Sequence, residues 1–119
     1  AYYSLFLQGI RTVDGVSVLD TEYIVPFKAK AYLDLKARRE AGENVDSRKV
    51  KKHKRDALRL AQLLGESAGV DLVGELKEDM LAFVKDCEAS DINLKQIGVA
   101  SVTTAQLLET MKATYGLIG

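Results

Sequence analysis

Apolar and polar positions along the chain change their period several times. "YYSLFLQGIRTV" opens with aromatic and aliphatic residues and reads as a strand over about residues 2–12. Asp14-Gly15 follows, then "VSVLD". Asp-Gly suits a type I′ turn because both central residues need positive φ, so a β-hairpin is expected with its second strand near 16–19. Two strands alone are marginal and need helices packed on them, or further strands. The pattern then lengthens to the helical period. Asp20 or Thr21 is placed to cap a helix running to about Ala41, with Pro26 in its early turns and Gly42 ending it; a start nearer Val25 is the other possibility. "GENVDS" reads as a polar loop, and Ser47 as the cap of a second helix over about 48–65 that ends at Gly65.

The remainder is expected to be helical. "ELKEDMLAFVKDCE" places Leu76, Met80, Phe83, Val84 and Cys87 at helical spacing. "INLKQIGV" suggests a short helix leading into a turn. Thr103 or Thr104 opens a last helix with Leu107, Leu108, Met111 and Tyr115 on its core side. The pattern predicts one α+β domain over residues 1–119, an N-terminal β-hairpin followed by a bundle of about four helices.

A helical wheel exposes an anomaly in the first long helix. With Phe27 at zero and about 100° per residue, Ile24, Ala31 and Leu35 fall between about 40° and 80°. Lys28 falls at about 100°, inside this apolar stripe, whereas Lys30 and Lys36 fall well outside it. An ammonium buried without a partner costs several kcal/mol. Three outcomes are open to Lys28: its methylenes carry the charge out to water, it pairs with a carboxylate, or it meets an anionic ligand.

On the second helix, Ala57, Leu60, Ala61 and Leu64 cluster on one side. His53, the only histidine, falls among them, and Asp56 at their edge. A core histidine with hydrogen-bonded nitrogens is the simplest expectation for His53. Asp56 has Lys52 and Arg59 at ion-pair spacing on its own helix, and its border position also lets it reach Lys28 if the two helices pack side by side. "RKVKKHKR" holds seven basic-type residues in eight, counting His53. It reads as a solvated face, or as a grip on phosphates through Lys51, Lys54 and Arg55. It lacks the interleaved aromatics of a single-strand stacking platform.

Charge sharpens this picture. The formal net charge is zero, but residues 1–27 carry −2, residues 28–59 carry +7 and residues 60–119 carry −5. A basic middle attracts an anionic partner, and the acidic C-terminal helices are also able to complement it. With 47% apolar and 29% charged residues the chain is expected to be soluble and globular. No apolar run approaches the ~20 residues of a membrane span, so no membrane partner is expected. Neither a basic leader nor a cleavage site is seen, and the single Cys87 cannot form an internal disulfide, so the cytoplasm is the expected compartment. One cysteine and one histidine predict no metal site. No GxxxxGK[ST], GxGxxG or GxSxG motif occurs, and Cys87 reads as a core residue.

"YIVPFKAKAYLDLKARR", a polar loop and "KKHKRDALRLAQLL" together resemble the C-terminal half of the AbiEii-like nucleotidyltransferases. These bacterial proteins include abortive-infection toxins and belong to the polymerase β-type superfamily. The resemblance covers roughly residues 16–64. It matches the family's helix lysine to Lys28, with Ala31 three residues on, and the later aspartate to Asp56. Lys52 matches the basic residue four before that aspartate. His53 stands where the family usually has another acid, and the loop and basic helix are longer than the family's linker.

The resemblance implies that Lys28 and Asp56 assist catalysis and that Lys28, Lys52 and His53 lie near nucleotide. It also implies that Mg2+ and an NTP are handled by an intact parent whose N-terminal portion carries a Gly-rich loop and an Asp-x-Asp pair. No Asp-x-Asp occurs here. The abrupt start at Ala1 agrees with a C-terminal portion of a longer protein, inactive alone and binding no cofactor by itself. That missing catalytic region is one expected partner, and an antitoxin or nucleic acid another. The rival expectation is a nucleic-acid or protein interaction module using the basic helix at 48–55.

Overall fold

Residues 2–9 form a helix where the apolar run suggested a strand. In the computed structural model, which describes residues 2–65, 69–90, 92–99 and 102–117, helix α1 spans Tyr2–Gly9. The reason lies in which of its apolar residues find cover. Leu5 and Gly9 are buried, whereas Tyr3, Phe6 and Leu7 face solvent. Tyr2, Leu5 and Gly9 recur at i, i+3 and i+7, one face of a helix, and alternation never had two buried neighbours to satisfy it. Gly9 has no side chain to spare: a Cβ there would stand 2.3 Å from the Tyr23 ring.

The hairpin is shorter than expected, with β1 at Ile10–Val13 and β2 at Val16–Leu19 paired antiparallel from Ile10↔Leu19 to Val13↔Val16. Its turn is of the expected kind, since Asp14 and Gly15 have φ of 51° and 78°. All of β1 is exposed. The hairpin is tied to the helices by charge: Arg11 donates to both oxygens of Asp20 at 2.9 and 3.0 Å. Asp20 is the N-cap of α2, Thr21–Glu40, yet its carboxylate makes no capping bond because Arg11 holds it.

Helix α2 lies between α1, α3 (Ser47–Ala61) and α4 (Glu75–Ala89), and α5 (Thr104–Thr114) packs on α3 and α4. The expected hairpin and helical bundle are therefore present. The cap of α3 is Asp46 and not Ser47, its carboxylate accepting from the Arg48 N–H at 2.9 Å. Residues 94–98 form a turn and no helix. Thr103 caps α5 in a capping box with Gln106, and Leu107, Leu108, Met111 and Tyr115 are buried as expected.

The buried line of α2 is Val25, Ala29 and Tyr32, about a quarter turn from the stripe of Ile24, Ala31 and Leu35, which is only half-buried. Lys36, set aside by the wheel as external, continues this buried line and reaches Asp86 of α4. Asp86 also accepts from the Tyr32 hydroxyl at 2.8 Å and from Lys54 of α3 at 2.7 Å. Lys54 donates to Ser90 as well, and Ser90 closes the loop onto the Asp86 carbonyl. One carboxylate, with a side chain only 10% exposed, thus joins three helices. Burial pushes its pKa up, but the hydrogen bonds from Lys36, Lys54 and Tyr32 outweigh that and hold it at about 2.

A second tie comes from Pro26. It lacks the N–H that would bond the Glu22 carbonyl four residues back. The buried Tyr115 hydroxyl, just past α5, donates to that carbonyl at 2.8 Å.

Both ties are testable by urea unfolding. Tyr115→Phe should cost about 1–2 kcal/mol by orphaning the Glu22 carbonyl. In a Pro26→Ala background, where the helix regains its own N–H donor, the same substitution should cost about half or less; an undiminished loss there would show that the tie is not the cause. Asp86→Ala should cost about 3–5 kcal/mol because two cations lose their partner. The folded pKa of Asp86 lies below its unfolded value, near 4. Its contribution of about 2 kcal/mol is thus complete above about pH 4 and is lost as pH falls toward 2. Asp86→Asn should flatten the acid limb of the stability–pH curve in that window.

Candidate functional site

Lys28 leaves α2 half-buried, at the rim between its buried line and solvent. Asp56 leaves α3 on the facing side, and Lys28 Nζ stands 3.7 Å from Asp56 Oδ2. This is an ion pair longer than a hydrogen bond. The side chains are 36% and 21% exposed, so the pair sits in the mouth of a cleft and not in the core. Of the three fates open to Lys28, pairing with a carboxylate is the one observed, and the cleft leaves room for an anion as well. The cleft holds about 380 Å³ and is lined by Lys28, Asp56, Arg59, Leu60, Gln62 and Leu63.

Asp56 finds neither Lys52 nor Arg59. Its second cation is Arg55, at 3.9 Å. Arg59 has no carboxylate partner among the described residues. Sequence reasoning weighed Arg59 only as an ion-pair partner and passed over Gln62, although Asp56, Arg59, Leu60 and Leu63 share one face at i, i+3, i+4 and i+7.

The remaining candidates separate. His53 is half-buried, and its Nδ1 is fully enclosed without a hydrogen-bond partner, contrary to the satisfied core histidine expected. Lys52 is exposed and lines no part of the cleft. Lys54 is withdrawn from the proposed basic grip, because its ammonium is spent on Asp86 and Ser90 and lies 5.3 Å from the centre of the Tyr32 ring. Lys51 and Arg55 remain exposed. They line a different cleft, of about 360 Å³, with Leu58, Ile92 and Gln96. Cys87 is fully buried and its thiol is pushed up to about 12 by burial, so it is a packing residue and no nucleophile at neutral pH.

Among the described residues no group of three His, Cys, Asp or Glu side chains stands where it could hold a metal ion. No described helix is long and apolar enough to cross a membrane. Set against protein-family models, curated proteins and solved structures, the chain matches none of them.

A half-exposed pair contributes little to stability. Lys28→Met should therefore change the unfolding free energy by less than about 1 kcal/mol, far less than Asp86→Ala. A loss above about 3 kcal/mol in urea titration would show instead that Lys28 is a structural element of the core.

Proposed function

We propose that this chain is the helical, C-terminal portion of an AbiEii-like nucleotidyltransferase and that Lys28, steadied by Asp56, contacts the phosphates of the nucleotide. One observation supports this above the others: two residues from separate helices, singled out by the resemblance, converge at 3.7 Å on the wall of an open cleft. A structural lysine needs no cleft. A lysine meant for phosphate needs one, and needs its ammonium held where charge develops.

Each residue then has a distinct part. Lys28 offsets negative charge on the phosphates as a point charge able to approach them from one side. Asp56 is a positioning residue that keeps the ammonium at the cleft. Among the described residues the carboxylates do not fit the Mg2+ that the resemblance implies, and no Asp-x-Asp occurs in the sequence, so this reading assigns metal binding to the Asp-x-Asp portion expected of the parent protein. In this reading the chain is inactive by itself, and the catalytic region is its first partner.

A second reading is favoured by the solvent side of α3, where Arg48, Lys49, Lys51, Lys52 and Arg55 are exposed. Such a face suits a nucleic-acid backbone, with affinity falling steeply with salt. Lys54 is not part of it.

The coding sequence upstream of Ala1 is the first test. A Gly-rich loop and an Asp-x-Asp pair are expected there, and an unrelated domain overturns the enzyme reading. In the intact protein, pyrophosphate release from NTPs should fall about 100-fold with Lys28→Ala. Charge reversal of Lys49 and Lys51, both exposed and away from the Lys28–Asp56 pair, should leave that rate unchanged. The opposite ranking, with an unaltered rate in Lys28→Ala, favours the nucleic-acid module.

A further inference from the structure

The Lys28–Asp56 pair is nearly neutral, and a neutral pair alone has little pull on an anion. Arg59 changes that balance. It lines the same cleft, lacks a carboxylate partner among the described residues, and brings the described lining to a net charge of about +1. Its side chain also runs beside a neighbouring turn. Its Nε lies 3.7 Å from where a Cβ on Gly98 would stand. Gly98 has a φ of +83° and closes the turn that begins at Leu94, whose carbonyl accepts from the Val99 N–H at 2.9 Å. A Cβ at Gly98 would stand at ordinary van der Waals distance from Arg59, so the turn lies beside the side chain without crowding it.

The cleft also has an apolar side. Leu60 is half-buried in its wall and Leu63 is 65% exposed at its lip. A volume of about 380 Å³ falls at the lower end of the roughly 300–1,000 Å³ of small-molecule pockets. That size suits one nucleotide and is too small to enclose a polymer.

We infer that Arg59 is a second phosphate contact. On this assignment the cleft takes a mononucleotide whose phosphates are shared by Lys28 and Arg59, while Leu60 and Leu63 cover its ring. The assignment rests on the phosphate-contact reading of Lys28. The two cations differ in kind: the guanidinium presents a planar fork that binds two phosphate oxygens at once, whereas the ammonium is a point charge. Gln62 supplies the lining's amide, able both to donate to and accept from a base or ribose.

Calorimetric titration of the chain with UTP, ATP and inorganic tripolyphosphate tests this. Against the expectation that the chain holds no cofactor by itself, the unsubstituted chain should bind all three. Arg59→Ala should weaken each at least tenfold, with Arg59→Lys recovering only part of the loss. Leu63→Asp should weaken the nucleotides more than tripolyphosphate. Both positions are exposed, so the melting temperature serves as a control for folding. If Lys28→Ala weakens binding and Arg59→Ala does not, the Arg59 assignment fails and the Lys28 reading stands. If neither weakens it, or no phosphate compound binds at millimolar concentration, both fail. Equal losses for tripolyphosphate and nucleotide in Leu63→Asp overturn the apolar seat.

Discussion

A single, largely enclosed carboxylate sets the arrangement of the three longest helices. Removing Asp86 from water is unfavourable, and the cost is met only because α2 supplies Tyr32 and Lys36 and α3 supplies Lys54. The bond to Lys54 fixes more than a distance, because it fixes the rotation of α3 about its own axis. Residue 56 lies about 200° from residue 54 on a helix. With Lys54 drawn inward to Asp86, Asp56 must emerge on the other flank, toward Lys28, and Arg59 follows one turn later. The geometry of the cleft is thus set by a bond that contributes no atom to it.

The other end of α2 is held by a different device. Pro26 opens the helix's hydrogen-bond ladder at Glu22, and Tyr115 closes the gap from the far end of the chain. Arg11 takes the Asp20 carboxylate and so anchors the hairpin to the same helical start. Lys28 lies two residues beyond the proline. Its backbone is held on one side by the Tyr115 tie and on the other by the Asp86 cluster. This matters for the phosphate-contact part proposed for Lys28, because a preorganised cation loses less on binding than one that must be ordered by its ligand.

Local signals were legible in the sequence and shared ones were not. Asp14-Gly15, the Thr103 cap, the end of α2 at Gly42 and the core side of α5 each depend on a few neighbouring residues, and each was read close to where it stands. The meeting of Lys28 and Asp56 was legible because the two residues border facing helix sides. Residues 2–9 misled because an apolar composition does not say which side chains will be covered. The face of α2 was misplaced for a related reason: a helix with three neighbours has apolar residues most of the way round, so the wheel has no sharp centre. Asp86 escaped notice because its partners lie 32 to 54 residues away in sequence, and nothing local marks a carboxylate as buried. Asp46 replaced Ser47 as cap within the expected scatter of helix ends.

The uneven charge along the chain takes on a different meaning in the fold. A basic middle suggested a face waiting for an anionic partner. Part of it is already answered within the molecule, since Lys30 meets Glu75 and Asp79 while Lys36 and Lys54 meet Asp86. The acidic C-terminal segment is the partner for those lysines, so the segregation of charge along the sequence helps to specify that α4 packs on α2 and α3. Among the described residues, what the fold leaves unanswered lies mostly on the solvent side of α3 and at the cleft beside it, with Arg39 at the end of α2. Of the cations there, Arg59 stands out because it combines a charge without a carboxylate partner among the described residues with a place in the cleft lining. An exposed cation on a bare helix face can serve any polyanion, but one held beside an ion pair and an apolar lip is suited to a ligand of defined size.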